Sequence, residues 1–200
     1  MLQSSSGALW RVKLPSFEPE ELINFHAGTI NGAVACADRH VMASIGIDGS
    51  VRLHDYVNKI TIYSRHCAAG GTCIAWLPKS LDGELRSIAT GHTDGVVRIL
   101  VECRDGVRVK ACFKPHTKAV VALAFSLDGE TLATAGEDNT IFFIGARDNW
   151  RPIGYINTDA TINCLTWGGE KGDRLAVAHK GGGLAEYAAP KIEDYDTTTT

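Results

Sequence analysis

Short apolar runs separated by turn residues set the pattern of this chain, and no apolar stripe at helical spacing persists for a useful length. The stretch from Ala119 to Ser126, Ala-Val-Val-Ala-Leu-Ala-Phe-Ser, is rich in valine, leucine and phenylalanine and stops at Asp128-Gly129. Thr131 to Gly136, Thr140 to Ile144 and Pro152 to Ile156 follow, with Arg147-Asp148-Asn149 as a loop between the last two. Such runs, bounded by Gly, Asp and Asn, predict four strands in one unit. Asp-Gly occurs five times, at Asp48, Asp82, Asp94, Asp105 and Asp128. A two-residue hairpin loop needs positive φ at both centres, which Gly, Asn and Asp tolerate most cheaply, so these pairs are expected to form such loops. The predicted fold class is all-β.

The unit repeats. Ala43-Ser-Ile-Gly-Ile-Asp48-Gly-Ser-Val-Arg-Leu returns as Ala89-Thr-Gly-His-Thr-Asp94-Gly-Val-Val-Arg-Ile and as Ala133-Thr-Ala-Gly-Glu-Asp138-Asn-Thr-Ile-Phe-Phe, with a weaker copy from Ala176 through Gly181 to Glu186. Steps of 46, 44 and 43 residues separate Asp48, Asp94, Asp138 and Gly181. A period in the low forties matches a four-stranded propeller blade. The predicted units are 26–68, 69–115, 116–158 and a partial 159–190, with 1–25 holding the outer strands of a preceding blade. Gly7 to Leu14 and Glu21 to Phe25 read as the third and fourth strands of that blade, and 191–200 as an acidic, threonine-rich tail or edge strand. About four blades are visible, which fits a piece of a ring of about seven; a four-bladed ring would close if the N-terminal strand completed the last unit.

Composition changes this picture little. The 200 residues are 44% hydrophobic and 22% charged with a net charge of -3, an ordinary globular balance. The excess of glycine, 21 residues, reads as a hairpin count. Near-neutral charge without a basic block gives no nucleic-acid footprint, and no stretch approaches the ~18 apolar residues of a membrane span. Cys36, Cys67, Cys73, Cys103, Cys112 and Cys164 form no CxxC pair and read as reduced core residues of an intracellular protein. His66, Cys67 and Cys73 match no standard zinc spacing.

His26 stands 22 positions before Asp48 and His116 22 positions before Asp138, and Phe125-Ser-Leu-Asp-Gly129 closes the first strand of the third unit. In these features the chain resembles the WD40 repeat propellers. The resemblance implies that the His at a blade start and the Asp of the hairpin share a hydrogen-bond network locking the blade, with His26, Asp48, Asp94, His116 and Asp138 as its members here. Two departures weaken it: His54-Asp55 replaces the closing Trp-Asp, and the fourth unit carries Asp159 and Gly181 at the His and Asp positions. The strings Val51-Arg-Leu-His-Asp-Tyr-Val57, Ala69-Gly-Gly-Thr-Cys-Ile-Ala-Trp-Leu-Pro78, Phe113-Lys-Pro-His-Thr-Lys118 and Pro152-Ile-Gly-Tyr-Ile156 are similar, more narrowly, to the cilia- and flagella-associated members. That narrower resemblance implies a non-enzymatic scaffold of the motile axoneme, part of a tether between inner-arm dynein heads and the doublet microtubule. Its partners would be a related ciliary WD40 protein, inner-arm dynein and tubulin, with no cofactor, metal, nucleic acid or membrane. The alternative is an intracellular WD40 adaptor in trafficking or ubiquitin ligation.

Signatures of catalysis are missing from the sequence. Gly168-Gly-Glu-Lys-Gly-Asp173 lacks the hydroxyl residue that a phosphate-binding loop places after Gly-Lys, and neither GxSxG nor HExxH occurs. His54, His92 and His179 fall at strand or turn positions and read as structural or surface residues. A propeller offers surface instead, and residues beside the lock face a partner at the rim: Thr29, Ile47, Thr93, Thr117, Glu137 and Thr161. Ile47 either anchors a contact or tucks under a neighbouring loop. Arg52 and Arg98 are expected on solvated outer positions, and Trp76, Phe125 and Trp167 between blades.

Overall fold

Period-two runs with turn residues between them fold here into up-and-down sheets. The computed structural model describes residues 2–3, 6–24, 26–169, 173–188 and 190, and the predicted 191–200 tail or edge strand lies outside them. The first sheet has three strands, β1 (Leu2–Gln3), β2 (Ala8–Val12) and β3 (Pro19–Asn24). The second has four: β4 (Ile30–Ala35), β5 (Val41–Gly46), β6 (Ser50–Asp55) and β7 (Ile60–His66). The third comprises β8 (Gly71–Trp76), β9 (Ser87–His92), β10 (Val97–Cys103) and β11 (Gly106–Phe113). The fourth holds β12 (Val120–Phe125), β13 (Thr131–Gly136), β14 (Thr140–Gly145) and β15 (Arg151–Asn157), and the last β16 (Ile162–Gly168), β17 (Arg174–His179) and β18 (Leu184–Ala188). Every pairing is antiparallel between consecutive strands, and no helix occurs among the described residues. The four sheets beginning at β4, β8, β12 and β16 are blades in a β-propeller arrangement. We number them one to four.

The N-terminal strands do not complete the last blade. They pair with each other, and β16–β18 stays three-stranded among the described residues, so no four-bladed ring closes through them. β2 and β3 carry a register shift between Leu9 and Trp10, as the third and fourth strands of the blades do between Leu53 and His54, Ile99 and Leu100, and Phe143 and Ile144.

The core lies between blades. The middle strands β5 and β9 are buried at all six positions, and small residues such as Ala43 and Ala89 let neighbouring blades approach. Phe143 is fully buried and meets Trp167 of the next blade edge to face, with ring centres 6.3 Å apart. Trp76 and Trp167 each donate an indole N–H to the preceding blade's first strand, at Val34 O and Ala124 O.

The hairpins differ from expectation. Between second and third strands the loop has three residues in the first and third blades, Ile47–Gly49 and Glu137–Asn139, and four in the second and fourth, and Gly49 N–H donates to Gly46 O. Only the third loop residue has positive φ: 76° at Gly49, 78° at Gly95 and 61° at Asn139. This is a type I turn closed by a left-handed residue, so the aspartate is there for its carboxylate. Asp48 Oδ1 accepts the Ser50 N–H, Asp94 Oδ1 that of Val96, and Asp138 Oδ1 that of Thr140. The glycine has a second reason: a Cβ on Gly95 would lie 2.2 Å from His116 O of the following blade. β10 and β11 are joined by two residues, Arg104 and Asp105, but there positive φ falls on Gly106, which opens β11.

Candidate functional site

Each hairpin between second and third strands is tied to the segment that opens its own blade. Ile47 N–H donates to Thr29 O, Thr93 N–H to Gly70 O, Glu137 N–H to Ala119 O and Lys180 N–H to Thr161 O. These bonds bring the hairpin aspartates and the blade-opening residues to one rim.

In the first blade His26 Nδ1 lies 3.1 Å from Asp48 Oδ1, and its Nε2 lies 2.8 Å from Ser44 Oγ. Ser44 Oγ is 3.0 Å from His54 Nε2, whose Nδ1 is 3.2 Å from Thr61 Oγ1. An ionised carboxylate only accepts, so neutral His26 donates from Nδ1 and receives the Ser44 hydroxyl at Nε2; Ser44 in turn receives the His54 N–H. Asp48 also takes the N–H groups of Ala27 and Ser50. Burial opposes its charge, but those bonds and the one from His26 prevail and hold its pKa far below the usual carboxylate range. Burial pulls the His26 pKa down against the pull of Asp48, and it pushes His54 down to about 3, aided by repulsion from His26 when that ring is protonated and from Arg52.

The third blade repeats the arrangement. His116 Nδ1 is 3.1 Å from Asp138 Oδ1 and its Nε2 3.0 Å from Thr134 Oγ1, while Asp138 Oδ2 takes the Thr117 N–H at 2.8 Å. Phe142 meets the His116 ring edge on at 5.4 Å. Burial opposes ionisation of Asp138, yet Thr140, Thr117 and His116 bring its pKa to about 2.

The second and fourth blades place the imidazole differently. Asp94 meets no histidine ring; its Oδ2 takes Arg98 Nη2 at 2.8 Å, which moves Arg98 off the solvated position expected for it. Cys67, which sends its N–H to Gly49 O of the previous blade as His116 does to Gly95 O, stands at the position of His26 and His116. The ring comes from His92 at the end of β9, with Nδ1 3.2 Å from Ala69 O and Nε2 3.0 Å from Thr90 Oγ1. In the fourth blade the opening position belongs to Thr158, whose N–H reaches Asn139 O, and not to Asp159; His179 Nδ1 lies 3.1 Å from Ala160 O. Counting back a fixed 22 positions fails there because the spacing between blade opening and hairpin differs from blade to blade.

A glycine explains the exchange. A Cβ on Gly46 would lie 2.5 Å from His26 Nδ1, and one on Gly136 2.5 Å from His116 Nδ1. The equivalent residues in the second and fourth blades are His92 and His179. One slot in each blade therefore takes one imidazole, from the opening loop or from the second strand. The sequence held that signal, because histidine replaces the glycine where the blade opening lacks one.

On the rim, Thr29, Ile47, Thr93, Thr117 and Glu137 are exposed and Thr161 is half-buried. Thr117 uses its hydroxyl on Asp138, 3.2 Å away. Ile47 is 48% exposed while its side chain also lies over Gly28 and Gly70. A recess of about 330 Å³ is lined by Asn31, Thr72, Val121 and Asn163, together with Glu137 and Lys180 of the hairpins. Each of those four sits at the register shift that opens its blade's first strand. Cys36 and Cys67 are buried as expected, and burial raises the Cys73 pKa to about 12, but Cys112 and Cys164 are exposed and do not belong to the core. No cluster of three or more His, Cys, Asp or Glu suited to a metal occurs among the described residues.

Successive antiparallel blades, each hairpin hydrogen-bonded to the loop that opens its blade, make a β-propeller, and the family model for the WD domain, G-beta repeat, matches residues 107–144. The chain belongs to the WD40-repeat family. It is similar to cilia- and flagella-associated protein 44 of Mus musculus, with 33% identity over 98% of this chain and 12% of the relative. The protein of that name from Chlamydomonas reinhardtii is 31% identical over 72% of this chain and 9% of its own length. The chain thus spans about a tenth of these relatives. Among solved structures, Saccharomyces cerevisiae Sqt1 superposes with a TM-score of 0.80 over 94% of this chain and 54% of Sqt1; at 12% identity that likeness is one of fold.

Proposed function

We propose that this chain is a propeller segment of a non-enzymatic scaffold in the cilium or flagellum. The observation that carries the reading is the 33% identity, sustained over 98% of the chain, to a protein named for cilia and flagella. In finer detail, the scaffold belongs to the axoneme and forms part of the tether linking inner-arm dynein heads to the doublet microtubule, which regulates beating. Its partners are a related ciliary WD40 protein, inner-arm dynein and tubulin. The rim supports a binding role physically: Thr29, Ile47, Thr93 and Glu137 stand exposed on loops whose backbones are fixed by hydrogen bonds, so a partner meets a preorganised surface. Tagging the full-length protein in a ciliated cell tests the reading. Signal retained on detergent-extracted axonemes, together with crosslinks to dynein or tubulin peptides, is expected. A diffuse cytosolic or vesicular signal lost on extraction would sink it in favour of a trafficking or ubiquitin-ligase adaptor.

A further inference from the structure

Charges on the surface are unevenly paired. Away from the outer side of the second blade, exposed cations stand beside acids, as Lys79 does with Asp38, Arg147 with Glu130 and Lys180 with Glu137. Along that outer side they do not. Arg104, Lys110, Lys114 and Lys118 are exposed and have no ion-pair partner among the described residues, where Lys13 is the one other exposed Lys or Arg without one. Arg108, between them, meets Asp105. These cations run from the turn between β10 and β11, along the outer strand β11, toward the loop that opens the third blade. Residues 104–118 hold five Lys or Arg and one acid, a net charge of +4 in a chain of net charge -3, so the remainder carries -7. A register shift between Ile99 and Leu100 leaves Lys110 as the extra residue of β11, and such a bulge re-aims a side chain. Arg65 of β7 sends its Nη1 to Val107 O at 2.8 Å and Tyr63 its hydroxyl to Arg104 O at 2.9 Å, so the neighbouring outer strand is tied to β11 where the cations stand.

We propose that the outer edge of the second blade, from Arg104 through Arg108 and Lys110 to Lys114, is the docking surface for an extended acidic polypeptide segment. Size and charge argue for this class of partner. The eight residues of β11 span ~26 Å at about 3.3 Å each, the reach of a short extended peptide whose own side chains recur at the same spacing. A nucleic-acid duplex or an anionic bilayer extends its charge well past such a strip and would lay it over a remainder of net charge -7. Protection of a free sheet edge does not account for the row. β7 and β15 end their sheets too, and each carries a single Lys or Arg, Arg65 and Arg151, both engaged by polar partners. Val109, 41% exposed among the cations, supplies an apolar contact, while the charges steer the segment and set its register. The inference concerns the outer side of one blade and holds whether or not the ciliary reading does.

An oligo-glutamate peptide about as long as β11, titrated into the full-length protein by fluorescence anisotropy, tests the proposal. Cys112 serves as a reporter, because it is exposed on β11 between Lys110 and Lys114. The peptide is expected to bind at low salt and to slow maleimide labelling of Cys112, whereas an oligo-glutamine peptide of the same length does neither. Lys110→Glu combined with Lys114→Glu should weaken binding about ten-fold or more. Lys13→Glu combined with Lys79→Glu makes the same change in net charge elsewhere and should leave affinity unchanged. All four lysines are exposed, so both double variants should melt as the parent does. Absence of binding, equal losses from the two double variants, or Cys112 labelling unchanged by bound peptide would overturn the proposal. So would tighter binding of duplex DNA or of phosphatidylserine vesicles that Lys110→Glu with Lys114→Glu abolishes, which would assign the strip to a nucleic acid or a membrane.

Discussion

At the residue scale, the exchange between His26 with Gly46 and Cys67 with His92 is a statement about volume. The slot between hairpin and blade opening holds one ring, and whichever position supplies it forces the other to be small. His26→Cys leaves Asp48 without a ring partner and Ser44 with His54 alone, and is expected to cost ~1–3 kcal/mol in chemical unfolding. Gly46→His alone drives a second ring into His26 and should cost about as much by overpacking. The double variant His26→Cys with Gly46→His builds the second blade's arrangement into the first. Its loss should fall short of the sum of the single losses by ~1–2 kcal/mol, and strict additivity would show that the two arrangements do not exchange. The pairing of His26 and His116 with their aspartates was implied by the WD40 resemblance, which their 22-position spacing helps to carry. Asp94's partner could not, because Arg98 lies on the following strand and only a fold brings its guanidinium back.

At the scale of the strand, what was legible follows from periodicity. The third unit's predicted run from Thr131 to Gly136 is β13 to the residue, since turn residues bound it tightly on both sides. Loop geometry was less legible: Asp-Gly suggested two positive φ angles, whereas the aspartates serve as acceptors for the N–H two residues on. Burial of whole faces was not legible at all, because a strand in the middle of a propeller and one at its open side share the same alternation. Phe143 shows what a covered strand contributes. It is 0% exposed and spans the gap to Trp167, so Phe143→Ala should cost ~3–5 kcal/mol by denaturant titration. Tyr155→Ala, on the outer β15 and 57% exposed, should stay within ~1 kcal/mol even though its ring stacks on Phe142. Equal losses would mean that the stability does not reside between blades.

At the scale of the molecule, the buried imidazoles make stability depend on acidity in a fixed direction. His26, His92 and His116 all have pKa values pulled down mainly by burial, and His54 is brought to about 3. Unfolding returns each to its ordinary value near 6.5, so below that pH the unfolded chain binds more protons than the folded one. A depressed folded pKa contributes stability that is complete above pH 6.5 and lost as pH falls from 6.5 toward the folded value. The hairpin aspartates Asp48, Asp94 and Asp138 are also depressed and act in the same sense, but lower, as pH falls through and below 3.8. His54 alone implies a loss of about 2 kcal/mol between pH 6.5 and pH 5. Thermal melts followed by circular dichroism should therefore be level between pH 8 and 7 and fall steadily from pH 6.5 to pH 5, well before carboxylates titrate. His54→Gln, which keeps a polar side chain but cannot titrate, should flatten that fall. A melting temperature unchanged or raised at pH 5 would mean that the four rings are not held neutral in the folded chain.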